Sequence, residues 1–177
     1  MLRRTYRRLR AVTGAELLIV TGLITGMVAG SNYRQAMDRA REAVMKNNLR
    51  QFYMLVQMDG RLPEAAFYPK DPKKDRDSLL KKMPQAAGLL SVPHHPDKLR
   101  KAGLSYLYND ELAGKPLGRI DNAGKTWLLM EATILDPDLR DQRGARFMVL
   151  FADGSTGIVD GLPKDLARKL EEAKEED

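Results

Sequence analysis

Five arginines, Arg3, Arg4, Arg7, Arg8 and Arg10, fall within the first ten residues, and the chain then turns apolar from Ala11 to Gly30. Only threonines, glycines and one carboxylate, Glu16, dilute that stretch. This junction limits the possible folds more than any other feature. Val12 to Gly30 spans 19 residues, close to the ~20 that cross a hydrocarbon core as a helix. The pattern predicts a transmembrane segment over 12–30. Basic flanks prefer the cytoplasmic side, so the N-terminus is expected there and everything after Gly30 outside the cytoplasm. The charge balance is tied to the same junction. Thirty basic residues against 24 acidic ones give a net charge of +6, but without the five leader arginines the balance is 25 against 24, or +1. The body of the chain is near neutral, and no nucleic-acid partner is expected.

A secretory signal peptide is an alternative reading, but Val28-Ala29-Gly30 runs without a break into helix-forming sequence. A plain anchor is another, but it leaves Glu16 unexplained, because an ionisable group in lipid costs a few kcal/mol or more without a partner (roughly 2.5–3.5 on insertion scales). From Ser31 the apolar positions Tyr33, Met37, Ala40, Val44, Phe52, Leu55 and Val56 recur mostly at three-and-four spacing, with charged residues on the other faces. No proline occurs between Val12 and Gln57. One continuous helix over 12–58 is predicted, apolar over 12–30 and amphipathic over 31–58. Asp59-Gly60 supplies its stop.

Arg10-Ala11-Val12-Thr13-Gly14-Ala15-Glu16-Leu17-Leu18-Ile19-Val20 resembles the leader of type IV pilins and type II secretion pseudopilins. In that family a basic leader ends in a small residue, followed by an aromatic residue, Thr, two apolar residues and Glu. Ala11 replaces the usual glycine before the cut, and Val12 the usual aromatic. The resemblance implies processing by a prepilin peptidase between Ala11 and Val12, with methylation of the new amine. It implies that Thr13 and Glu16 serve assembly, the carboxylate pairing with the amine of a neighbouring subunit. Asp59-Gly60-Arg61-Leu62-Pro63 resembles the Gly-x-Tyr-Pro turn after the long helix of major pseudopilins, with Leu62 in place of tyrosine. Ser105–Asn109, Lys125–Glu131 and Val149–Gly154 resemble the C-terminal half of prepilin-like proteins. Those carry a histidine ten positions before the Asp-Gly pair, where Arg143 stands here.

The fold implied is α+β, a long N-terminal helix packed on a small antiparallel sheet, as in pilins. Residues 1–11 form the leader, 59–163 a globular domain with a variable surface region at 64–100, and 164–177 a charged, helix-prone tail. One short helix is expected near Arg76–Met83. Strands are expected at Leu104–Tyr108, Thr126–Ile134, Arg146–Ala152 and Thr156–Val159, with a hairpin turn at Asp153-Gly154. Phe147–Phe151 is too continuously apolar for a strand with one wet face, so both faces are expected to be covered.

Cysteine is absent, which removes disulfides, thiolate-held zinc and thiol nucleophiles. His94-His95, between Pro93 and Pro96, is expected in a surface loop. Asp136, Asp138 and Asp141 offer oxygen ligands suited to a hard cation, and major pseudopilins hold calcium in a comparable loop; EF-hand spacing is absent, and the alternative is a solvated turn. Gly22, Gly26 and Gly30 recur every fourth residue, as in close helix packing. No Ser-His-Asp order or phosphate-binding glycine loop is present, and no enzyme activity is expected.

The function implied is a structural subunit that assembles through its N-terminal helix in a type II secretion or type IV pilus-like system. Its partners would be copies of itself or other pseudopilins, the prepilin peptidase and the inner-membrane assembly platform. The expected location is the inner membrane, single-pass, with the C-terminal domain periplasmic. Two other readings are a monomeric anchored extracytoplasmic binding domain and an anchored hydrolase.

Overall fold

The computed structural model describes residues 14–136, 146–161 and 166–168, with side chains from residue 32 onward. The chain divides into two units, residues 1–41 and 42–177. Helix α1 runs Gly14–Asp59, as the unbroken proline-free sequence predicts. It ends at Gly60, whose φ of 71° is left-handed and whose N–H reaches the carbonyls of Val56 (3.0 Å) and Gln57 (3.2 Å).

The transmembrane segment expected over 12–30 is corrected by the structure: among the described residues no helix is long and apolar enough to cross a membrane. Glu16 cuts into the stretch and leaves 14 residues, 17–30, before Ser31. At 1.5 Å per residue these cover about 21 Å of a hydrocarbon core of about 30 Å. From Arg34 to Arg50 charges recur on every turn. The fold is α+β without an assigned span, and the single-pass location loses its support.

In the second unit, strands β1 (Tyr106–Tyr108), β2 (Trp127–Glu131), β3 (Arg146–Phe151) and β4 (Thr156–Asp160) form an antiparallel sheet in the order β1-β2-β3-β4. The register sets Tyr106 opposite Glu131, Met130 opposite Val149 and Phe147 opposite Val159. It slips between Trp127 and Leu129, a bulge that puts both Leu128 and Leu129 in one core cluster.

Two cores lie on the two faces. Met45, Leu49, Phe52 and Val56 of α1 pack with Tyr106, Tyr108, Met148 and Leu150. Leu107, Trp127, Met130, Phe147 and Val149 pack with Leu99, Ile134 and Leu166. The alternation 148/150 against 147/149 is the two-residue period of a strand, and both faces of β3 are covered as expected.

Residues 64–100 differ from the surface region expected. They hold helices α2 (Leu79–Lys82) and α3 (Ala87–Leu90), the start of α4 (Asp97–Ala102) and a 3-10 turn at Pro84–Ala86. Ser78 caps α2 by accepting from the Leu80 N–H at 3.2 Å. Leu79, Met83, Leu90 and Val92 enter the main core. Prolines chop this region into pieces too short to show a periodicity, which conceals how apolar its inward positions are.

Two contacts tie α1 to the final hairpin within this unit. Tyr53 donates to the Ala152 carbonyl at 3.2 Å. Gly154 turns the β3–β4 hairpin with φ at 85°, and a Cβ there would run into the Tyr53 ring. The Arg61–Pro63 turn is stitched to residues 114–116, with Leu62 buried in the core and the Pro63 carbonyl accepting from Tyr108 at 2.8 Å.

Phe52→Ala should cost about 3–5 kcal/mol, since it removes a fully buried ring between helix and sheet; urea unfolding monitored by circular dichroism reads this out. Gly154→Ala should cost about 1–3 kcal/mol for the left-handed backbone alone, and more for the collision with Tyr53. A value near zero would mean that the hairpin can move away from α1.

Burial pushes the phenols of Tyr106 and Tyr108 well up, aided by the charges of Glu131 and Asp110 respectively. Their folded pKa values lie above the unfolded value of about 10, so the stabilisation is complete below that pH and is lost as pH rises. Urea unfolding at pH 8 and pH 11 should show lower stability at the higher pH, with phenolate absorbance from these two rings delayed until unfolding.

Candidate functional site

Ala11, Val12 and Thr13, the residues at the expected processing and assembly positions, lie outside the described residues. Glu16 lies in the first turn of α1 as described, its side chain outside the description. Within the first unit every side chain from Asn32 to Arg41 is exposed, including Tyr33 at 68% and Met37. An isolated helical stretch is marginal in water, and most helices draw stability from a packed apolar face. This stretch has no such face among the described residues, and an exposed Arg41–Asp38 pair at 3.4 Å supports it. In the second unit the same helix buries one stripe in the core and leaves Val44, Met54 and Met58 exposed. Those three fall on the turns away from Met45, Leu49, Phe52 and Val56, as rotation of about 100° per residue requires. Uncharged Asn47 and Gln51 lie between them in sequence.

The histidine pair departs from its expected place. His95 is buried, with its side chain fully enclosed, while His94 keeps intermediate exposure. His95 Nε2 lies 3.1 Å from Glu131 Oε1, off the line of a ring N–H bond, so this is a close polar contact rather than an aligned hydrogen bond. Glu131 Oε2 accepts from the Met148 N–H at 3.3 Å. Strand β2 ends at Glu131 and turns into the 3-10 segment Ala132–Leu135, so a side chain serves this β3 donor where β2 stops. Tyr106 stands opposite Glu131 in the register, and its hydroxyl and the Thr133 hydroxyl are buried without hydrogen-bond partners among the described residues. The imidazole is closed to solvent, and its contact fixes the Val92–Pro96 loop to the end of β2. The signal for it is in the sequence: a carboxylate ending the buried run Trp127–Glu131 needs a partner, and the chain has only two histidines.

Of the aspartates considered for calcium, Asp136 follows the 3-10 segment, while Asp138 and Asp141 lie outside the described residues. The described residues hold no group of three or more side chains able to grip a metal ion. Asp136 lines a cavity of about 490 Å3 together with Lys70 and Lys98, whose ammonium groups are cations of its own wall. Asn109, which the sequence reading passed over as part of a strand end, is 3% exposed and sits beside a second cavity.

A double-mutant cycle tests the buried pair. His95→Leu and Glu131→Met should each destabilise by roughly 2–4 kcal/mol, since each strands a polar group or opens a hole. The double variant should cost less than the two combined, with a coupling of about 1 kcal/mol or more. Additive losses would show that the two side chains act separately.

Compared with family models, curated proteins and solved structures, the chain matches none.

Proposed function

We propose that this chain is a pilin-like structural subunit that assembles through its N-terminal helix in a type II secretion or type IV pilus-like system. The observation that carries this reading is α1 itself: 46 residues that follow a basic, pilin-type leader, exposed on every described side chain from Asn32 to Arg41 and core-forming from Met45. A helix exposed over ten residues, with a tyrosine and a methionine in water, is suited to packing against helices of other subunits. Glu16 is the charge partner. Cleavage between Ala11 and Val12 would free an amine that stays cationic when methylated, and a carboxylate on a neighbouring helix would neutralise it where water is scarce. The partners of the reading are copies of the chain or other pseudopilins, the prepilin peptidase and the inner-membrane assembly platform.

A binding-domain reading gains from a different observation, the cavity beside Asn109. The two readings separate on self-association.

Because the chain has no cysteine, single substitutions report contacts without background. Tyr33→Cys and Met37→Cys should each form disulfide-linked dimers between copies in cells that carry a prepilin peptidase. Adding Glu16→Leu should lower that crosslinking severalfold at matched abundance. Equal crosslinking removes the assembly role of Glu16 and favours the monomeric binding domain. Mass spectrometry of the same material should find an N-terminus at Val12, and an intact Met1 would exclude processing there.

A further inference from the structure

The two signs of charge in the second unit fall in separate parts of the chain. From Lys70 to Lys101 nine basic residues stand against four aspartates, whereas from 102 to 177 ten basic residues stand against fifteen acidic ones. Five of those fifteen acids lie in Glu171–Asp177, with Lys174 the one cation among them. That acidic segment has no part in helix assembly.

The basic stretch folds into one surface. Lys70 and Pro72 line the cavity of about 490 Å3 together with Lys98 and Ala102 of α4. A Cβ at Gly103, which caps α4, would lie 3.1 Å from Lys73 Cε and 3.6 Å from Leu80 Cδ1, so the loop after Lys70 and helix α2 meet the end of α4. Three of the four aspartates serve local contacts. Asp71 pairs with Lys74 at 3.0 Å, Asp75 accepts from the Asp71 N–H at 2.9 Å, and Asp97 pairs with Arg100. Exposed Lys73, Lys81, Lys82, Lys98 and Lys101 have no ion-pair partner among the described residues. Asp77, exposed among them, is one carboxylate against five cations.

The acidic segment is tethered close to this surface. Leu166 is buried in the same apolar cluster as Leu99 of α4, and Tyr68 and Leu135 of the cavity wall pack against that cluster. Nine residues follow Arg168, and an extended chain of that length spans up to about 30 Å. The outer strands of a four-stranded sheet lie only about 14 Å apart, at about 4.8 Å per step. Reach is therefore not limiting, and the tether raises the local concentration of carboxylates to about the millimolar range.

We propose that Glu171–Asp177 binds the basic surface formed by the 70–74 loop, α2 and α4 of its own chain, its carboxylates meeting Lys73, Lys98 and Lys101. Each exposed pair is weak alone, and the contact holds because several act together on a tethered segment. The segment is then a built-in competitor, and any other anionic partner reaches this surface only by displacing it. The contact stands apart from helix assembly and holds whether or not the chain polymerises.

A pair of alanines reports the contact without removing a charge, since the chain has no cysteine of its own. Full-length protein with Ala102→Cys, at the end of α4, and Ala173→Cys, inside the acidic segment, should close to a monomeric disulfide, read at equilibrium against glutathione. Closure should be about fivefold or more favourable than for the control pair Ala123→Cys and Ala173→Cys, because Ala123 packs on the α1 side of the sheet. Lys73→Glu, Lys98→Glu and Lys101→Glu together should bring the first pair down to the control level. Glu171→Gln, Glu172→Gln, Glu175→Gln and Glu176→Gln together should do the same, and salt at about 0.5 M should weaken closure. The glutamine changes lie outside the described residues and carry the test if the lysine reversals disturb α4. Equal closure of the two pairs, or closure indifferent to salt and to both sets of charges, would overturn the proposal. So would disulfide-linked dimers in place of closed monomers, which would put the segment on a second copy.

Discussion

Strand β3 is buried on both faces, and the rest of the globular unit is arranged to cover it. A strand with Phe147, Met148, Val149 and Leu150 in sequence cannot leave either face to water without exposing large side chains. One cover is the end of α1, which presents Met45, Leu49, Phe52 and Val56 at alternating four-and-three spacing. The other is assembled from pieces, with α4 giving Leu99, the 3-10 segment after β2 giving Ile134, and the chain end giving Leu166. A single helix suffices on one side because its stripe is continuous. The opposite side has no long element, and cavities remain between its pieces.

Polar groups become enclosed as a by-product of that double cover. Glu131 ends a strand that is otherwise apolar, in a region where water is excluded, and His95 and the Met148 N–H meet it there. The Tyr106 and Tyr108 phenols are enclosed by the same packing, which pushes both well above the ordinary phenol range. These groups specify how the ends of the sheet are closed rather than how its centre packs. A buried imidazole helps to place the Val92–Pro96 loop, and a phenol reaching the Pro63 carbonyl adds to the backbone bonds that hold the Arg61–Pro63 turn.

How much of this was legible in the sequence depends on the range of the interaction that decides it. Helix α1, its stop at Gly60, the four strands and the Asp153-Gly154 turn rest on local pattern, and each was readable within a residue or a few. The expected strand to Ile134 ends early because Glu131 turns its carboxylate to β3 and the backbone leaves the ladder. The core role of residues 79–92 was hidden because each helical piece is about one turn long, below the length at which periodicity can be seen. The burial of His95 was hidden because its partner lies 36 positions away in sequence. The transmembrane reading of 12–30 does not hold, because among the described residues no helix is long and apolar enough to cross a membrane. The residues tied to the pilin resemblance, Ala11, Val12 and Thr13, are legible only as sequence.

The division into two units gives the proposed assembly a physical basis that does not depend on the leader. In residues 42–177 the described side chains that cover both faces of the sheet belong to the same unit. The first unit has the opposite character, because among its described side chains none is buried, and a helix in that condition is held by backbone bonds and weak pairs alone. The order of such a helix responds strongly to whatever packs against it. Substitutions at Tyr33 or Met37 should alter association without unfolding the sheet, and substitutions at Phe52 should do the reverse. In the proposed assembly, the exposed stretch Asn32–Arg41 is the part of the described chain free to take up neighbouring helices. That is a useful property for a structural element that is assembled from many copies, and it follows from where the apolar residues of α1 stop facing water.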